Sequence, residues 1–129
     1  MSGYLLDTHA ALWWWMDIPR LGSNARRLIE ESVARICLSG VSVWEIGIKS
    51  HHGRLTDIPA FRAEYPALMA ANGFDLLAIT DRHALEAAYL DGAHRDPFDR
   101  MIAGQARCEE LIVITRDPQI AALGCETLW

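Results

Sequence analysis

The sequence predicts a single α/β domain built on a central, mostly parallel sheet of about five strands. Three observations carry that expectation. Short apolar runs alternate with segments of helical periodicity along the whole chain. Those runs are mostly unbroken instead of alternating with polar residues, as in strands covered by helices on both faces. The chain has 129 residues, 51% of them apolar and 22% charged, which suits one globular domain with a real core and leaves no room for a second.

The elements follow in order. Gly3 to Leu6 is a short buried strand, and Thr8 to Trp15 is a helix that must stop before Pro19. Ser23 is placed to cap a second helix, Asn24 to Ser32, in which Ala25, Leu28 and Ile29 cover one face. Ile36 to Ser39 is the next strand, followed by a helix from Val41 to Lys49 that Gly53 can stop. Pro59 and the stretch Phe61 to Ala71 give another helix, kinked or restarted at Pro66 and ended by Asn72-Gly73. Phe74 to Ile79 is a strand, and Thr80 caps the helix Arg82 to Leu90. After an exposed loop at Gly92 to Arg95, Pro97 opens a helix running to Glu109. Leu111 to Thr115 is a strand, Pro118 to Leu123 a short helix, and Glu126 to Leu128 the last strand.

Composition narrows the function. The longest apolar stretch, Ala10 to Met16, is far shorter than the roughly 20 residues a membrane span needs. With no Lys or Arg before Arg20 and Asp7 inside the candidate segment, the N-terminus does not read as a signal peptide, and a cytoplasmic protein is expected. Three widely spaced cysteines, Cys37, Cys108 and Cys125, suggest neither a disulfide framework nor a zinc ribbon. A net charge of −5 argues against a broad nucleic-acid surface, so contact with a polyanion must be local. Lys49 is the only lysine, leaving arginine, the better bidentate phosphate ligand, as the main cation.

The chemistry lies in the acids. Asp7 and Asp117 each follow an expected strand, Asp99 opens a helix, and Glu45 sits about one and a half turns beyond a strand end. A parallel sheet points all its strand ends to one edge, where open α/β sheets bind their ligands. Each acid also has a plain structural explanation. Asp7, Asp96 and Asp117 fit helix N-caps, Asp99 suits a first turn, and Ser42-Val43-Trp44-Glu45 spells a capping box. Capping does not explain their recurrence at one edge. Gathered there, carboxylates make an oxygen-rich site for a hard divalent cation and for chemistry on phosphate.

At these residues the chain resembles a known family. Leu5-Leu6-Asp7-Thr8-His9, Ser42-Val43-Trp44-Glu45-Ile46, the stretch His94 to Ala103 and Ile114-Thr115-Arg116-Asp117 are similar to the motifs of PIN-domain nucleases, particularly VapC-type toxins of toxin-antitoxin pairs. The resemblance spans nearly the whole chain. It implies an α/β/α sandwich, Mg²⁺- or Mn²⁺-dependent cleavage of RNA, and neutralisation by a cognate antitoxin. By position, Asp7, Glu45, Asp99 and Asp117 fall on the family's acidic quartet, with Asp96 a further possible metal ligand. Arg95, Arg100 and Arg116 are the candidate clamps on the RNA backbone.

Consecutive helical residues lie about 100° apart, so Trp13-Trp14-Trp15 cannot all face one core. Either the domain half-buries them, or they meet an antitoxin segment or a second subunit; a homodimer is expected. The alternatives to a nuclease are a phospho-receiver domain, which would want a lysine after a late strand, and a non-catalytic RNA- or antitoxin-binding scaffold.

Overall fold

The computed structural model describes residues 3–31, 33–55, 58 and 60–129. Five strands, β1 (Tyr4–Leu6), β2 (Ile36–Ser39), β3 (Asp75–Leu77), β4 (Ile112–Ile114) and β5 (Thr127–Leu128), form one sheet in the order β3-β2-β1-β4-β5. Every neighbouring pair is parallel, with Leu5 opposite both Cys37 and Val113.

The helices are α1 (Thr8–Trp15), α2 (Ser23–Glu31), α3 (Gly40–His51), α4 (Phe61–Asn72), α5 (Asp81–Tyr89), α6 (Pro97–Glu109) and α7 (Pro118–Ala121). Alternation along β1, β2 and β4 divides the core. Leu6, Leu38 and Ile114 face one side, against Ala10 and Leu12 of α1, Ala25 of α2 and Phe61 of α4. Leu5, Cys37 and Val113 face the other, against Ile102 and Ala106 of α6 and Ile120 of α7. Two helical layers therefore cover a sheet whose central strands are almost wholly buried, as unbroken apolar runs require.

Four local expectations are corrected. The Arg26 N–H already reaches the Gly22 carbonyl at 2.9 Å, so Ser23 is the first residue of α2 and not its cap. The Ser42-to-Glu45 capping box does not form. Because β2 runs straight into α3, the hydroxyl available at the junction is that of Ser39, which accepts from the Val41 N–H at 3.0 Å. Of the two expectations at Pro66, a kink or a restart, the restart is not seen: the proline lies inside continuous α4, which ends at Gly73 in the left-handed region, φ +65°. β3 stops at Leu77 because its partner β2 ends opposite, at Ser39. Ser32 and Pro59, expected at helix ends, lie outside the described residues.

The tryptophans are covered by their own chain. Trp13 is only 9% exposed. Half-buried Trp14 donates its indole N–H to Asn72 Oδ1 at 2.7 Å, and Trp15 packs against Phe61 and Phe74. All three cysteines are free, and among the described residues no helix is long and apolar enough to cross a membrane.

Candidate functional site

Strand order fixes where a ligand would sit. From β1 the chain moves outward through β2 to β3, then returns to the opposite side of β1 for β4 and β5. The reversal opens a crevice beyond the carboxyl ends of β1 and β4, the place where open α/β sheets bind ligands. Asp7 and Asp117 lie there, each capping the helix that leaves its strand. Asp7 accepts from the Ala10 N–H at 2.7 Å, and Asp117 from the Gln119 N–H at 2.9 Å. The two are tied together by Thr115, whose hydroxyl donates to Asp7 Oδ2 and accepts from the Asp117 N–H at 3.0 Å.

Asp99 arrives from α6. Its helix starts at Pro97 because Asp96 caps it, accepting from the Phe98 N–H at 2.8 Å. Asp99 therefore stands in the first turn and accepts from His94 Nε2 at 2.7 Å. One ligand atom each from His94, Asp99 and Asp117 lie within 4.8 Å of one another. The donors of an octahedral Mg²⁺ at about 2.0–2.1 Å stand roughly 3 to 4.2 Å apart, so small side-chain shifts would close the group on such an ion.

Electrostatics agree with the donor chemistry. Burial is the main reason that the Asp7 carboxyl is held above its ordinary range; the Thr115 and Ala10 hydrogen bonds oppose it and Asp99 adds repulsion. Asp99 is likewise raised, first by burial and further by Asp96 and Asp117, against the His94 hydrogen bond. Among the described residues, no lysine or arginine forms an ion pair with Asp7, Asp99 or Asp117. A hard cation would relieve this repulsion and supply the missing counter-charge. The residues fit a divalent metal.

Glu45 is held separately. The Thr8 hydroxyl donates to its Oε1 at 2.7 Å and lies 2.9 Å from the Ser42 hydroxyl, while Lys49 Nζ stands 3.3 Å from Oε2. Thr8 directly follows Asp7, so the link brings Glu45 to the same edge. Lys49, the only lysine in the sequence, lies in α3 and not after a late strand, where a receiver domain would need it.

The three candidate arginines divide. Arg116 borders the crevice beside Asp7 and Asp117. Arg95 is exposed in the loop before α6. Arg100 donates to the carbonyls of Ala87, Leu90 and His94, so three of its five N–H groups brace the loop before α6. A hollow of about 640 Å³ between α5 and α6 contains Arg82 and Arg107, both already paired with carboxylates. His94 and Thr115 are the members that sequence reasoning missed. The signal for His94 in the sequence is its five-residue separation from Asp99 across the Asp96-Pro97 helix start.

This sheet and its acidic edge define the class. The chain belongs to the PIN domain family, whose sequence model matches residues 4–124. Similar solved structures include FitAcB from Neisseria gonorrhoeae (18% identity, 98% of this chain and 96% of that one, TM-score 0.73). DNA-bound VapBC from Salmonella typhimurium is similar at 18% identity, covering 99% and 98%, with TM-score 0.72. VapBC-5 from Mycobacterium tuberculosis, in a family of toxin-antitoxin systems, is 24% identical over 99% and 97%, with TM-score 0.63. Among curated proteins none matches the sequence significantly.

Proposed function

We propose that this protein is a divalent-metal-dependent endoribonuclease and the toxin of a cytoplasmic toxin-antitoxin pair. The observation that carries the proposal is the grouping of His94, Asp99 and Asp117, with Asp7 bordering the same crevice as Asp117 and near enough to repel Asp99, in a chain of the PIN family. Asp7, Asp99 and Asp117 would hold Mg²⁺ or Mn²⁺, and Asp96 stays the α6 cap. Bound there, the ion would lower the pKa of a water and neutralise developing charge on the phosphate. His94 fixes the Asp99 carboxylate, and Thr115 fixes that of Asp7. Glu45, anchored by Thr8 and Lys49, would orient the attacking water.

An RNA substrate, a cognate antitoxin and a second copy of the chain are the proposed partners. The similarity to toxin-antitoxin complexes supports the second of these. Purified wild-type, Asp7→Asn and Asp99→Asn proteins, compared on RNA with Mg²⁺, test the site. Both variants should fold and lose at least a hundredfold in rate, the scale of removing one electrostatic contact to the transition state. Cleavage by the folded variants as fast as wild type would refute the assignment.

A further inference from the structure

Beside the acids lies a cavity of about 480 Å³ whose other walls are rings and arginines: His9, Trp13 and Trp129, with Arg20 and Arg116. Trp13 is the buried backing of this wall. The imidazole of His9 lies 5.6 Å from its ring centre, the Trp129 indole meets it edge-on at 5.7 Å, and the Arg116 guanidinium stacks over it at 4.8 Å. Exposed His9 and half-buried Trp129 leave ring surface free. Gly22 makes room for this arrangement, because a Cβ there would come within 2.6 Å of the Trp129 ring.

The charges are as informative as the rings. Arg26, Arg35, Arg82 and Arg107 are all neutralised by carboxylates. Arg20 and Arg116 are two of the arginines with no such partner among the described residues, and what sets them apart is that both border this one cavity. A guanidinium stacked on an indole keeps its N–H edge free, the edge that grips a phosphate. Free rings beside free arginines match a base joined to its phosphate, and the volume suits a small ligand.

We propose that this cavity seats one unpaired nucleotide of RNA next to the scissile phosphate, its base on His9 and Trp129 and its phosphate on Arg116 and Arg20; the assignment rests on the nuclease reading above. Asp7 and Asp117 form the wall nearest the reaction, so the seated nucleotide fixes which bond meets them. A base in this cavity must leave any helix, so single-stranded RNA binds and duplex does not fit.

The test is the anisotropy of a labelled ten-nucleotide single-stranded RNA with Ca²⁺ in place of Mg²⁺. It compares wild type with Arg116→Gln, His9→Ala, Trp129→Ala and Trp129→Phe, with Mn²⁺ affinity measured on each by calorimetry. Arg116→Gln should weaken binding about tenfold and reduce the slope of log affinity against log salt by about 0.7. His9→Ala and Trp129→Ala should each weaken it about fivefold or more, with most of the Trp129 loss recovered in Trp129→Phe. Mn²⁺ affinity should not change. Wild-type RNA affinity in the folded Arg116 and His9 variants overturns the subsite while leaving metal-dependent cleavage standing. If wild-type protein neither binds nor cuts RNA, the nuclease reading fails and the subsite with it.

Discussion

One hydroxyl joins two strand ends: Thr115, 3% exposed, donates to Asp7 and accepts from the backbone of Asp117. Thr115→Val keeps the shape but leaves a buried carboxylate without that donor. A loss of about 1–3 kcal/mol, read from urea unfolding at neutral pH, is expected. Asp99 gives a prediction of opposite sign. Its folded pKa lies above the ordinary 3.8, so between the unfolded and folded values the folded state binds more protons and stability falls as pH rises. In EDTA at pH 7, Asp99→Asn should therefore melt above wild type. The gap should close once pH falls below the ordinary carboxylate value, where Asp99 is neutral in both states, and a pH series of melting curves checks it. Persistence of the gap at low pH would assign the gain to something other than charge.

Between α5 and α6 the chain uses a glycine at close quarters. Gly104 sits inside a helix, where alanine is intrinsically better by about 1 kcal/mol. Yet a Cβ at this position would come 2.8 Å from the Ala87 nitrogen and 2.9 Å from its Cα, and backbone cannot rotate away. Overpacking costs about 1–3 kcal/mol, so the contact should outweigh propensity and Gly104→Ala should lower the melting temperature. At the start of α6, Asp96→Ala should cost about 1 kcal/mol through loss of the cap to Phe98 and Asp99, measured by urea unfolding. Helices of this kind were legible in the sequence because their signals are local: Asp-Pro pairs at residues 96–97 and 117–118, Thr80 before α5, and Gly73 after α4. Where two hydroxyls competed, as Ser39 and Ser42 did, the direct passage of β2 into α3 decided the cap, and no short window of sequence contains that fact.

For the whole molecule, the sequence made a parallel sheet readable but not its strand order. The order places β4 beside β1, bringing Asp7 and Asp117 together across more than a hundred residues. Acid types and motif spacing pointed to a metal site, whereas the position of the His94 ring depends on a loop that Arg100 sets by gripping three carbonyls. On the proposed reading, a metal that relieves the repulsion among the acids would make the domain's stability metal-dependent. At a concentration a hundred times its Kd, Mn²⁺ should stabilise wild type by about 2.7 kcal/mol in thermal melts and Asp99→Asn much less.

The most direct measurement is a metal titration of RNA cleavage by wild-type protein, starting from EDTA. Cleavage should be absent in EDTA, appear on adding Mg²⁺ or Mn²⁺, and saturate over the concentration range in which Mn²⁺ binds. Equal cleavage with and without metal, or none with the metal bound, would contradict the account.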